Sequence, residues 1–300
     1  MTNDPRWPRA SAWLAAARAA PRLVVVGAPL ARGSITPGRC DLAPAAIREA
    51  LHRYSTCDLD TGLDLLDLSV RDLGDLPIGE AIPEDAFEPV RDAVAAAARK
   101  AEAVVILGGD NSVTRPGLHG LGVPPARCGL LTFDAHFDLR DLDAGLTNGN
   151  PVRALLADGL PGEHIAQIGL QPFANSAPYA TVAQEAGIHF VTSGCVHERG
   201  IEVVVAEALA HLDARADRIY VDIDLDVLDR AYAPAAPGSR PGGLWPHQLR
   251  RAARMCGVHS KVRAVDLVEI DPSQDIAGVT ALAAAACLLE FAAGMLGRRS

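Results

Sequence analysis

Gly129-Leu-Leu-Thr-Phe-Asp134-Ala-His136-Phe-Asp138 decides how this chain is read: an apolar run closed by two carboxylates and an imidazole. A second stretch, Ile219-Tyr-Val-Asp222-Ile-Asp224-Leu-Asp226, ends in the same way and runs on to Asp229. Strands disfavour Asp, so three at alternate positions need a reason. A period of two places Asp222, Asp224 and Asp226 on one face of a strand, with Val221, Ile223 and Leu225 on the other. Carboxylates this close repel one another unless a cation neutralises them. A solvated edge strand or an acidic turn explains either cluster alone. Two such clusters, each closing a strand of one chain, point to metal. Asp134, His136, Asp138, Asp224 and Asp226 offer four carboxylates and one imidazole, a set that suits two divalent ions.

Outward from these stretches, short β-branched runs alternate with helical patterns. Strands are expected at Arg22–Gly27, Val104–Gly108, Gly129–Asp134, His164–Gly169, His189–Val191, Ile219–Asp226 and Val262–Ile270. Helices are expected at Pro44–Tyr54, Pro89–Lys100, Val152–Asp158, Tyr179–Ala186, Ile201–Ala214, Pro246–Met255 and after Asp275. Strand-helix alternation of this kind predicts an α/β fold in three layers, α/β/α, around a central, mostly parallel sheet. No repeat and no linker divides the chain, so one catalytic domain over 1–300 is expected, with 1–20 as an N-terminal extension. The Pro- and Gly-rich stretch Asp229–Gly243 follows an acidic cluster directly, as a site loop at a strand's carboxyl end should.

The 300 residues carry 37 acids against 28 bases, a net charge of −9. That balance, with no basic run, argues against a nucleic-acid partner. Val279 to Leu296 is nearly all apolar, but it contains Glu290 and is rich in Ala, so a helix buried on the sheet is expected rather than a membrane span. The six cysteines show no CxxC and no zinc-like spacing, and no export signal is visible. Buried free thiols in a cytoplasmic enzyme are the expectation. The remaining histidines (119, 164, 189, 197, 211, 247 and 259) lie outside any metal spacing and read as surface or loop residues.

Gly108-Gly-Asp-Asn111-Ser112, Asp134-Ala-His-Phe-Asp138 and Asp224-Leu-Asp-Val-Leu-Asp229, together with Pro44-Ala-Ala-Ile-Arg48 and Val268-Glu269-Ile-Asp-Pro272, resemble the ureohydrolase superfamily of arginases, agmatinases and formiminoglutamases. The resemblance implies the arginase-like fold and a binuclear Mn²⁺ site at the carboxyl ends of central strands. It implies Asp134 and Asp224 as bridging ligands, with His136 and Asp226 completing one ion's shell and Asp138 binding the other. Glu269 matches the acid that faces the amidine or guanidine; a surface acid following a strand is the lesser reading of it alone. Two departures stand out. Asn111 replaces a customary His, so its ion should be weakly held, since an amide oxygen is a poorer donor. Asn148 stands where arginases and agmatinases often carry a proton-shuttling His, which formiminoglutamases tend to lack.

The implied activity is hydrolysis of a linear amidine or guanidine C–N bond, first formiminoglutamate to glutamate and formamide. Agmatine or guanidino-acid cleavage to urea is the alternative, and a catalytically inactive binding or assembly subunit the second. Asp138 and Glu269 are the catalytic candidates; Asn148, Asn150, Arg153 and Glu269 are the candidate substrate contacts. Arg140, Arg153 and Arg240 are loop arginines that would favour a dicarboxylate substrate if they face the site. A small-molecule substrate, no membrane partner and a homo-oligomer, a trimer or hexamer, complete what the resemblance implies. Gln171-Pro-Phe-Ala-Asn-Ser176 also resembles formiminoglutamases, and reads equally as a loop with Asn175 or Ser176 capping the next helix.

Overall fold

A computed structural model of the chain describes residues 4, 6–16 and 18–298. Its strands are β1 Leu23–Ala28, β2 Val70–Asp75, β3 Ala103–Gly108, β4 Cys128–Phe133, β5 Ile165–Leu170, β6 His189–Thr192, β7 Arg218–Asp224 and β8 Val262–Val268. They form one sheet in the order β2-β1-β3-β8-β7-β4-β5-β6. Every pairing is parallel. The helices are α1 Ala10–Ala15, α2 Ala43–Ala50, α3 Pro83–Ala98, α4 Thr114–His119, α5 Pro151–Ala157, α6 Ala177–Ala186, α7 Ser193–Arg199, α8 Ile201–Asp213, α9 Pro246–Val258 and α10 Val279–Leu296.

Alternation along the strands builds two cores. Leu23, Val25, Val221 and Ile223 face a layer that includes α2, α8, α9 and α10. Val24, Val26, Ile106 and Leu130 face α3, α4, α5 and α6. Both faces of the sheet are therefore covered, as a parallel sheet requires, and the expected three layers are present. The apolar helix α10 is two-thirds buried in this packing, consistent with a core helix. Trp13 of α1 is buried as well and donates its indole N–H to the Leu68 carbonyl at 3.0 Å.

Three local expectations are corrected. Edge strand β2, Val-Arg-Asp-Leu-Gly-Asp, was not expected; only Val70 is buried, and its polar composition is what an exposed edge tolerates. Helix α3 starts at Pro83 rather than Pro89; Pro83 suits a first turn, and Glu84 and Asp85 complement the helix dipole there. The strand expected to reach Asp226 stops at Asp224, whose side chain accepts from the Asp226 N–H at 2.7 Å and caps a 3₁₀ turn over Leu225–Val227. Asp226 therefore leaves the alternation of Asp222 and Asp224.

The strand order places the site. β8 and β7, from late in the chain, insert between β3 and β4. The loops leaving β3 and β4 consequently diverge, and the carboxyl ends of β3, β8, β7 and β4 border a crevice. Pairing of Phe133 with Ile223 sets Asp134 level with Asp224. Pairing of Asp224 with Val268 sets Glu269 one residue beyond.

Under the crevice Tyr220, fully buried, donates its hydroxyl to Asp266 at 2.7 Å. A Cβ added to Gly117 of α4 would stand 2.2 Å from that hydroxyl oxygen. Two effects then oppose each other in Gly117→Ala: helix propensity favours Ala by about 0.5–1 kcal/mol, and overpacking a rigid core costs about 1–3 kcal/mol. The clash should win, lowering the urea midpoint with an unchanged slope. A stabilised Gly117→Ala protein would contradict this packing.

Candidate active site

After β4 the chain presents Asp134, His136 and Asp138 within five residues. The Asp134 carboxylate accepts from the His136 N–H at 2.6 Å, which curls the loop back over the strand end. Asn175 staples the same loop from the other side, accepting from Phe137 N–H and donating to the Ala135 carbonyl. Ser176 caps α6, so this segment supports the loop and starts the helix. Asp138 then adopts φ +53°, a left-handed conformation uncommon for a residue with a side chain.

His136 Nδ1 lies 2.9 Å from Asp226 Oδ2 and 3.4 Å from Asp134 Oδ1. These three side chains can each offer an atom to one point, all within 4.8 Å of one another. Asp134 Oδ2 is buried and has no hydrogen-bond partner. A buried carboxylate oxygen without a partner, facing other carboxylates and an imidazole, fits a hard or borderline divalent cation. Gly238 allows the closing loop to approach: a Cβ there would meet Asp226 Oδ2 at 2.0 Å and His136 Cε1 at 2.9 Å.

Glu269 is buried, not a surface acid, and it too has a left-handed backbone, φ +61°. Its Oε1 accepts from the Asn111 backbone N–H at 2.7 Å and from Asn148 Nδ2 at 3.0 Å. The Asn111 amide bridges Thr114 and Asp138, at 2.6 Å from the Thr114 hydroxyl and 2.6 Å from Asp138 Oδ2.

Asp138, Asp224, Asp226, His136, Glu269 and Asn148 line one cavity of about 460 Å³. Arg140 and Arg240 line it too. Two expected substrate contacts do not. Asn150 is buried as a loop clamp, accepting from Thr147 N–H and donating to the Asp141 and Gly145 carbonyls. Arg153 pairs with Asp141 at 2.7 Å. Sequence reading also passed over Asp110 and Asp266, both buried. Asp110 accepts from Gly33 and Ser112 N–H groups, and Asp266 accepts from Thr114 and Tyr220 hydroxyls. An acid inside the apolar run Val265-Asp-Leu267 was the available signal. Of the cysteines, four are buried while Cys57 is exposed and Cys195 half-buried, and all six are free.

A model of the arginase family matches residues 21–294. The chain belongs to the arginase family. Among relatives in that family, formimidoylglutamase of Halalkalibacterium halodurans is 37% identical over 284 residues, covering 90% of this chain and 86% of that protein. The human mitochondrial guanidino acid hydrolase is 30% identical over 271 residues, 89% of this chain and 76% of that one. The crystal structure of Bacillus subtilis formimidoylglutamase superposes with a TM-score of 0.94 at 29% identity, covering 100% of this chain and 95% of that chain.

Electrostatics follow from burial of like charges. Burial, then the Asp226 charge, raises the Asp134 carboxyl to about 6. Burial, then Asp110, raises Glu269 to about 8. Asp138 and Asp224 are pushed well above the usual range, first by burial and then by the charges of Asp134 and Asp226 respectively. Burial opposes charge on His136, but Asp226 and Asp134 overcome it and raise the imidazole to about 11.

These shifts fix a sign. Carboxyl groups with raised values bind more protons in the native state than in the unfolded chain, so their stability is complete below pH about 4 and falls as pH rises through about 6 and then about 8. His136 adds to the same downward slope above its usual value. Asp226, held low by His136, contributes the opposite slope only in acid. Chelator-treated protein should therefore show a lower urea midpoint at pH 8 than at pH 5.5, and Mn²⁺ should raise the pH 8 value. A midpoint in chelator that climbs from pH 5.5 to 8 would contradict the assignment.

Proposed function

We propose that this arginase-family chain hydrolyses the C–N bond of a linear amidine, formiminoglutamate, to glutamate and formamide, with two Mn²⁺ ions per chain. The observation that carries the reading is Glu269, buried and held by Asn148 and Asn111 in the same cavity as His136, Asp138, Asp224 and Asp226. Asp134 and Asp224 would be shared by both ions, His136 and Asp226 would complete one, and Asp138 would hold the other. Bound there, the ions would supply Lewis acidity and ionise a water at neutral pH.

The chain's own groups account for the rest. Glu269 accepts hydrogen bonds from the cationic amidine nitrogens through its carboxylate, which fixes the electrophilic carbon. A cation at this position also restores the ionised form that burial disfavours. Water adds to that carbon, the bond to the glutamate nitrogen breaks, and this nitrogen leaves with a proton. Asp138 takes the proton released by the adding water and passes it to this nitrogen, while Asn111 Nδ2 fixes its Oδ2 at 2.6 Å. Asn148, an amide in place of a titratable ring, orients Glu269 and moves no proton.

Formiminoglutamate should be cleaved at higher kcat/KM than agmatine or arginine, and formamide rather than urea should be released. Urea as the main product, with agmatine the better substrate, would replace this reading by the alternative. Glu269→Gln should lower kcat at least about a hundredfold, because orientation of the electrophile is lost, while the Mn²⁺ content stays intact. Loss of the metal with that substitution would make Glu269 a ligand instead of a substrate contact.

A further inference from the structure

Two cations in the cavity wall have no counter-ion among the described residues. Arg140 sits two residues after Asp138, and its backbone N–H donates to the Gly149 carbonyl at 3.1 Å. Its stem lies against Gly149, where an added Cβ would come within 2.8 Å of Cδ and 3.1 Å of Nε. The glycine therefore gives the arginine a bed that fixes where its head goes. Arg240, in the loop after β7, donates to the Gly238 carbonyl at 2.7 Å and lies 2.8 Å from His136 Nε2. Among the described residues neither guanidinium pairs with a carboxylate, whereas Arg153, on α5, is taken up by Asp141. Both free heads are solvent-exposed and line the cavity that holds Asp138, Asp224, Asp226 and Glu269.

The cavity is thus polarised. Its acids have work at the amidine end, in holding cations and the substrate's nitrogens. Its two arginines have none, and a ligand matching this polarity is cationic at one end and anionic at the other. A cationic tail such as that of agmatine would meet two unpaired guanidiniums. We propose that Arg140 and Arg240 form a carboxylate-binding subsite that selects amidines bearing a dicarboxylate tail. This deepens the function proposed above and rests on it. A guanidinium offers a planar fork that matches a carboxylate, so each arginine can hold one carboxylate of the tail.

The test compares formiminoglutamate with N-butylformamidine, which has the same reacting group and no carboxylate, for wild type, Arg140→Gln, Arg240→Gln and the double variant. Calorimetric binding of L-glutamate to the Mn²⁺-loaded proteins gives a readout independent of turnover. Each single substitution should lower the kcat/KM ratio of formiminoglutamate to N-butylformamidine about ten- to a hundredfold, through KM, and weaken glutamate similarly. Because Arg240 also touches His136, Arg140→Gln is the decisive arm. An unchanged ratio with glutamate binding retained in Arg140→Gln overturns the subsite, as does an equal loss on both amidines. Should wild type fail to hydrolyse formiminoglutamate, the substrate reading falls. The subsite is still decided by glutamate: binding that Arg140→Gln abolishes supports it, and no binding to wild type refutes it.

Discussion

Mutual repulsion among buried carboxylates is the constraint on which this molecule turns. Asp110, Asp134, Asp138, Asp222, Asp224, Asp226, Asp266 and Glu269 are all buried, and they meet at the carboxyl ends of four adjacent parallel strands or just beneath them. Ionised acids in such surroundings are costly unless something compensates each one. Asp110 is compensated by N–H donors. Asp266 is compensated by the Tyr220 and Thr114 hydroxyls, and Asp222 beside it is pushed toward its neutral form by burial and by Asp266. Asp226 and Asp134 have His136. Asp138, Asp224 and Glu269 have less than they need, and the proposed cations would supply it.

Strain is placed where the chemistry is. Four described residues other than glycine have left-handed backbones, and Asp138 and Glu269 are two of them. Such conformations cost on the order of 1–3 kcal/mol and persist only where surrounding structure enforces them. Here the enforcing contacts are specific: Asn111 and Asn148 hold Glu269, Asn111 holds Asp138, and Asn175 anchors the loop between Asp134 and Asp138. A site held in this way needs little rearrangement to receive a substrate.

Much of this was legible in the sequence because period and chemistry coincided. Largely apolar runs closed by an acid mark covered strands that end at a site, and β4, β7 and β8 are of this kind. Edge strand β2 was not legible, because an exposed edge needs no apolar pattern and its residues read as a loop. The direction of Asp226 was hidden as well, since nothing in an Asp-x-Asp-x-Asp repeat shows where a strand turns into a 3₁₀ helix. Asn111 could be recognised as a departure, but its link through Thr114 to Asp266 could not, because that contact depends on β8 lying beside β3. Arg140 and Arg240 could not be placed until the fold set them in the cavity wall, whereas Arg153, equally readable as a helix-surface residue, lies on α5 and pairs with Asp141.

The most direct measurement of the account is anomalous diffraction at the manganese edge from crystals saturated with Mn²⁺. The account predicts two peaks in the crevice between β4 and β7, one within ligand distance of His136 and Asp226 and both near Asp134 and Asp224. The peak beside Asp138 should be the weaker, because Asn111 gives that position a neutral amide where an imidazole is customary. Saturated crystals with no manganese among these carboxylates would contradict it.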